Sequence, residues 1–401
     1  MNYNWLSNTS NACQLAIRQT QTQLLSTDSS TSLNVKPRLL NHLFKKLDSV
    51  RQLFLIFTLV ALPFLAYADN SENRREINVS DVPMLYKALQ AANKNGEADI
   101  KLAPGIYQLT KTLVISAPHI SLIGDSANPK SVRIVGLGMR SRSQVENVIS
   151  VTAKNFTLDG VTLSDAGNHL IQISGEYNAD FPTLKNCILQ DSFQQLVKVS
   201  SSQKSDHASD YGIIDNCEFR YTQGIGPNYY IGGIDAHGSR GWMISNNVFR
   251  DIASPDNRPA EFAVHFWNGA SNNTVENNTI IDCDRGIGFG LKGKPASGGA
   301  IINNLIVHQD NADPSADVGI LLEQSPDTQI LDNRIFLGHN YPNAIEYRFT
   351  DTINAVIVDN ITNKPIRKRD GATALLIDNK RVKEVSSILT ADELALLASL
   401  K

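Results

Sequence analysis

Five short segments of this sequence carry ionisable, aromatic or glycine residues at the same offsets from an apolar residue. After Ile234, Val264, Ile287, Ile320 and Ile345, the next residue is Asp235, His265, Gly288, Leu321 or Glu346, and the third is His237, Trp267, Gly290, Glu323 or Arg348. Two upstream segments, aligned on Ile171 and Val197, add Gln172, Lys198, Ser174 and Ser200. Alternate residues of a β-strand point to one side, so if these segments are strands stacked on one another, the named side chains form one strip. The strip contains the groups needed to remove a proton from a carbon beside a carboxylate. His265 and His237 are the candidate bases. Arg348 and Lys198 are the candidate neutralisers of the carboxylate, and Asp235 is placed to orient and charge-stabilise a histidine one repeat away. Gly288 and Gly290 predict a floor between the His265–Trp267 and Leu321–Glu323 segments, because two missing side chains open a trough against backbone. Trp267 offers a flat apolar surface beside it. A different chemistry, needing two carboxyls about 5 to 9.5 Å apart, would fall to Glu323 and Glu346, about 8 Å apart if they sit one repeat and two strand positions from each other.

Positioning these residues requires a repeat, and the sequence has one. A short phrase of Asn or Asp, then a small residue or Asn, recurs from Leu158-Asp159-Gly160-Val161 to Val358-Asp359-Asn360-Ile361. The third positions are 160, 187, 217, 247, 278, 304, 333 and 360, separated by 27, 30, 30, 31, 26, 29 and 27 residues. Between the phrases lie short runs rich in Val, Ile and Phe that read as strands. A repeat of this length with several strands and a recurrent Asn corner predicts an all-β solenoid of about eight coils. Propeller blades need about 40 residues, and the leucine spacing of a leucine-rich repeat is absent. Solenoid ends need covers. Val82, Leu85, Ala88, Leu89 and Ala92 predict a helix over 80–95, and Thr390-Ala391-Asp392-Glu393 predicts a capping box opening a helix over 390–400.

The 401 residues, 42% hydrophobic and 19% charged, are ordinary globular material, and 37 basic against 40 acidic residues without a dense run of one sign exclude a nucleic-acid binder. The apolar run 53–65 follows Lys45, Lys46 and Arg51 and leads into Ala66-Tyr67-Ala68, the order of a signal peptide. Its length, at about 1.5 Å per residue, falls short of a bilayer core of about 30 Å. The organisation read from this is an extension and signal peptide over 1–68 with cleavage after Ala68, an N-terminal capping segment over 69–98, the solenoid over 99–380 and a C-terminal capping helix over 381–401. A secreted or periplasmic protein, free of the membrane once the signal is removed and monomeric, is expected. Cys187, Cys217 and Cys283 remain, an odd number. Cys187 and Cys217 match in adjacent repeats, and either a bridge or stacked thiols would suit them.

The segment Asp99-Ile100-Lys101-Leu102-Ala103-Pro104-Gly105-Ile106-Tyr107, followed by Val114-Ile115 and Ile120-Ser121-Leu122-Ile123-Gly124, resembles the first coils of a pectate-lyase-like right-handed parallel β-helix. The likeness spans roughly 80–380. The phrases around Asp235, His265, Gly288 and Glu346 resemble those of a bacterial group of right-handed β-helix repeat proteins. The resemblance implies an extended groove for a polysaccharide, and with the strip above it predicts a lyase or epimerase on a uronic-acid polymer. His265, His237, Asp235 and Arg348 would be catalytic, and Trp267, Lys198, Glu323, Glu346, Gly288 and Gly290 would bind substrate. A glycosidase using Glu323 and Glu346, and a non-catalytic glycan-binding scaffold, are the alternatives. Arg285, Arg367, Arg369 and Asp370 either line the groove or clamp loop carbonyls. No structural zinc or other resident metal is indicated by cysteine spacing; Ca2+ on the acidic loop Asp310, Asp313 and Asp317, as in some β-helix lyases, is the one ion left open, without an EF-hand spacing.

Overall fold

In the computed structural model, residues 74–140, 145–202, 204–205, 207–309 and 313–399 are described. The stretch 1–68, read from the sequence as an extension and signal peptide, and Asp310 lie outside the described residues. Among the described residues no helix is long and apolar enough to cross a membrane.

The chain is a right-handed parallel β-solenoid of about ten turns. Three long parallel sheets of 12, 10 and 11 strands form its walls. Each coil gives one short strand to each wall, as in Thr183–Lys185, Ile188–Ser192 and Val197–Ser200. The inward residues are Ile, Leu, Val and Phe, and they stack on their copies above and below. Phe219 and Phe249, for example, lie ring on ring at 4.6 Å. Each such side chain, removed from water, contributes about 1.5–3 kcal/mol, so the core is one continuous column.

The corner phrase divides its work between two residues. The first Asn or Asp takes the left-handed backbone conformation, at Asn246, Asn277, Asn303, Asp332, Asp359 and Asp378, where these short polar side chains are tolerated. The residue after it builds the ladder. The backbone N–H groups of Asn247, Asn278, Asn304 and Asn333 each donate to the side-chain oxygen of the Asn one coil on, at 2.9–3.0 Å. Asn360 donates likewise to Asn379, so the ladder runs one rung beyond the last phrase counted in the sequence. At the other end, the coils have glycine in place of Asn. A Cβ on Gly124 would stand 2.3 Å from the carbonyl oxygen of Gly160, a closeness of backbones that only glycine permits. The eight phrases therefore undercount the coils.

Helix α1, Val82–Asn95, has Asp81 as N-cap, accepting from the Met84 N–H at 2.7 Å, and buries Leu85, Ala88, Leu89 and Ala92. A strand the helical spacing does not announce, Arg75–Val79, comes before it and pairs with Ala98–Leu102. Helix α2, Ala391–Ser399, opens on the capping box: the Glu393 N–H donates to Thr390 Oγ1 at 3.2 Å and the Thr390 N–H to the Glu393 carboxylate at 2.8 Å. Its Leu397, with Ile388 and Leu389, packs on Ile281, Leu305 and Val307 along a wall of the solenoid. End-capping by helices is thus a minor part of the architecture. Cys187, Cys217 and Cys283 are buried free thiols; the first two stack, with the Cys187 N–H 3.4 Å from Cys217 Sγ.

Candidate functional site

The ten-stranded sheet carries the strip. Its central strands are β1 (Ile171–Ser174), β2 (Val197–Ser200), β3 (Ile234–His237), β4 (Val264–Trp267), β5 (Ile287–Phe289), β6 (Ile320–Glu323) and β7 (Ile345–Arg348). Their pairing matches the alignment made on the inward apolar residues at every step. Lys198 faces Asp235, Asp235 faces His265, His265 faces Gly288, Gly288 faces Leu321 and Leu321 faces Glu346. On the second row His237 faces Trp267 and Glu323 faces Arg348.

A cleft of about 270 Å³ opens on this face. Seven of the ten expected residues line it: Asp235, His265, Trp267, Gly290, Glu323, Glu346 and Arg348. Lys198, His237 and Gly288 do not. Lys198 is joined to Asp235 and stands 2.8 Å from His237 Nε2. The His237 ring rests on Trp267, with centroids 4.1 Å apart. These two residues therefore stand beside the cleft on the same face and hold Asp235 and Trp267, which line it. Gly288 corrects the expected floor more sharply. A Cβ there would lie 2.8–2.9 Å from the ring of Phe262, so the space vacated by glycine is filled by an aromatic side chain. Gly290 does line the cleft, but its role is a backbone one. Its carbonyl oxygen lies 3.0 Å from His265 Nε2.

That contact fixes the tautomer. A carbonyl accepts only, so Nε2 carries the proton and Nδ1 keeps its lone pair. The ring lies parallel to Trp267, 5.4 Å away, and 4.8 Å from Phe262. Burial lowers the His265 pKa to about 4, against the opposing charge of Asp235, so at neutral pH it is an uncharged base. Burial works against ionisation of Asp235, yet His237, Lys198 and His265 hold its carboxyl far below the usual range. Trp267 Nε1 also donates to it, at 2.5 Å.

The remaining carboxylates divide into paired and unpaired. Glu323 accepts from Arg348 Nη1 at 2.9 Å and from the Lys292 N–H at 3.0 Å. Glu346 is 1% exposed and accepts from Tyr341, Asn343 and Arg369 at 2.6–2.8 Å; burial opposes its charge, but these bonds prevail and its pKa is lowered. The two glutamates singled out as a hydrolytic pair are thus both tied into ion pairs. Of the acidic loop, Asp317 pairs with Arg285 through Oδ2 at 2.8 Å, while its Oδ1 makes no hydrogen bond.

Glu261 is different, and the strip did not include it. It lines the cleft, makes no side-chain hydrogen bond or ion pair among the described residues, and has its pKa raised by burial despite Arg285. A signal for it exists in the sequence. Glu261, Asp284 and Asp317 stand three residues before Val264, Ile287 and Ile320, so one coil offset carries an acid three times running. At the rim, Lys294 lies over Trp267 at 4.6 Å, Lys292 over Phe349 at 5.9 Å and Arg258 over Tyr229 at 3.4 Å. None of these three cations has an acidic partner among the described residues, whereas Arg285, Arg348 and Arg369 each do.

A parallel β-helix with a polar, aromatic-edged cleft on one wall is a well-defined class of protein, and the sequence agrees with the geometry. The chain belongs to the right-handed β-helix family, matching the description "Right handed beta helix region" over residues 146–380. Similar solved structures include an alginate lyase from Paenibacillus sp. str. FPU-7, with 16% identity, 75% of this chain and 99% of the other covered, and a TM-score of 0.51. A mannuronic acid specific polysaccharide family 6 lyase from human gut microbiota has 14% identity, covers 80% and 90%, and has a TM-score of 0.51. A DFA-IIIase from Arthrobacter chlorophenolicus A6 has 11% identity, covers 82% and 89%, and has a TM-score of 0.51. At these identities the likeness is one of fold. No curated protein matches the chain in sequence.

Proposed function

We propose that this protein is an exported, monomeric polysaccharide lyase or epimerase acting on a uronic-acid polymer, after removal of the segment ending at Ala68. The observation that carries the reading is an uncharged His265, its Nε2–H held by Gly290, in a cleft that also holds the guanidinium groups of Arg285 and Arg348. Arg348 spends Nη1 on Glu323 and Nε on Asp370 and keeps further N–H donors for a substrate carboxylate. The rim cations suit a chain of anionic sugars, since each is held over an aromatic ring with its charge available to a substrate carboxylate. Two of the similar folds named above are lyases, one of alginate and one specific for mannuronic acid, which supports the same substrate class.

In the lyase reaction an arginine neutralises the carboxylate, and His265 Nδ1 takes the proton from the adjacent carbon. The electron pair forms the new carbon–carbon double bond as the bond to the leaving oxygen breaks, and that oxygen takes a proton from the carboxylic acid form of Glu261, which burial favours by raising its pKa. Epimerisation would return a proton to the opposite face of the same carbon. Glu261 also favours a second reading, glycoside hydrolysis, because its pKa is raised while that of Asp235 is lowered, the divergence an acid–base pair needs.

Ultraviolet absorbance with pectin, alginate and glucuronan separates these. A rise that is lost in His265→Ala supports elimination. New reducing ends without absorbance, lost in Glu261→Gln, would replace it with hydrolysis.

A further inference from the structure

We propose that Asp284, His308 and Asp313 form a binding site for a first-row divalent cation of the Zn2+ or Mn2+ type, set behind the wall of the cleft. The proposal does not rest on the reaction assigned above. One ligand atom from each residue lies within 4.8 Å of the other two. His308 Nε2 and Asp313 Oδ2 are 3.4 Å apart, close to the separation of two ligands on a tetrahedral ion with bonds of about 2.0–2.1 Å.

The second observation is the state of these groups. His308 is 2% exposed and Asp284 1%. Neither ring nitrogen of His308 makes a hydrogen bond, and neither does Asp284 Oδ1. A buried imidazole that makes no hydrogen bond, with only the Asp313 carboxylate 3.4 Å from Nε2, grouped with a buried carboxylate that has one oxygen unbonded, is costly unless something binds them. The other oxygens are already used. Asp284 Oδ2 accepts from the N–H groups of Ser254 and Ala260 at 3.0 and 2.7 Å, and Asp313 Oδ1 accepts from the Ser315 N–H at 2.8 Å. These bonds aim the free atoms, as supporting contacts around metal ligands do. One imidazole among few carboxylates favours a first-row ion over Ca2+, which takes six to eight oxygens.

The site's position suggests its use. Asp284 immediately precedes Arg285, and its carbonyl oxygen accepts from the Asp317 N–H at 2.7 Å. Asp317 in turn holds Arg285 at 2.8 Å. An ion joining Asp284 and His308 to Asp313 would pin the segment 313–317 and so fix the Arg285–Asp317 pair on the cleft wall.

The test uses the full chain, stripped with a chelator and titrated with Zn2+, Mn2+ and Ca2+, with bound metal measured after gel filtration and Tm recorded. One Zn2+ or Mn2+ per chain is expected, with a rise in Tm and at least about 100-fold preference over Ca2+. Asp313→Asn and His308→Gln should each weaken binding by at least about 100-fold. Absence of binding to the folded wild type, undiminished binding by either folded variant, or a preference for Ca2+ would each overturn the proposal. Should His308→Gln fail to fold, Asp313→Asn decides; should both fail, the Co2+-loaded wild type decides alone. It should display paramagnetically shifted resonances of one histidine ring, and their absence would be equally fatal.

Discussion

His265 and Gly290 sit one coil apart, and the imidazole Nε2 of the first is 3.0 Å from the carbonyl oxygen of the second. The bond leaves Nδ1 as the only basic atom of a buried ring beside Trp267 and Phe262. His265→Ala should lower kcat by about 100-fold or more, the usual worth of a positioned base. With burial holding His265 to about 4, the wild-type rate should keep its unprotonated base down to about pH 5. The acid limb in kcat/KM should therefore lie well below the ordinary histidine range, and an acid limb near pH 6.5 would count against His265 as the base.

Stability should depend on pH through the same physics. Burial lowers both His265 and His169 to about 4 from 6.5. A histidine whose folded pKa is depressed binds its proton in the unfolded chain first, so stability is complete above about pH 6.5 and declines as pH falls towards 4. Each fully buried ring accounts for about 3 kcal/mol over that window. His169, with Nδ1 on the Gln195 carbonyl, lies outside the cleft lining. Urea midpoints measured from pH 7 to 4 should fall, and His169→Asn should make the fall shallower.

The contrast between these residues and Gly288 marks what could be read from the sequence. Inward Ile and Val positions recur with the coil, and because a strand's side-chain period is two, fixing one inward residue fixes the outward ones. The row from Lys198 to Glu346 followed from that alone. What fills a gap is another matter. Phe262 reaches Gly288 from the corner before β4, and corner geometry has no such period. Glu261 was legible in principle, through its match with Asp284 and Asp317, but at those corners an acid does three things: Glu261 has no side-chain partner among the described residues, Asp284 caps the N–H groups of Ser254 and Ala260, and Asp317 pairs with Arg285. The corner Asn also concealed two roles, since the left-handed conformation belongs to the first residue and the ladder to the second.

Phe262 over Gly288 gives a packing test. Gly288→Ala puts a methyl group 2.8–2.9 Å from the Phe262 ring atoms, so the ring must move. Overpacking of this kind costs about 1–3 kcal/mol, and the displaced ring should raise KM by narrowing the cleft. Phe262→Leu in the Gly288→Ala background should recover part of both losses. Strictly additive effects in the double-mutant cycle would mean that the two positions do not share the space.

Lys292 and Lys294 test the charge of the substrate apart from the chemistry. Both stand over rim aromatics, Phe349 and Trp267, without acidic partners among the described residues, and neither touches the candidate base. Each exposed cation is worth about 0.5–1 kcal/mol to a bound anion. Replacing both with Gln should therefore raise KM by about 5- to 30-fold on a uronate polymer and leave kcat nearly unchanged, because uniform binding is lost without loss of transition-state stabilisation. The wild-type KM should rise with ionic strength and that of the double variant much less, since screening acts on the same exposed charges. If the double variant and the wild type respond alike to salt, the polymer does not meet these lysines, and a neutral glycan cleaved with Glu261 as the acid becomes the better account of the cleft.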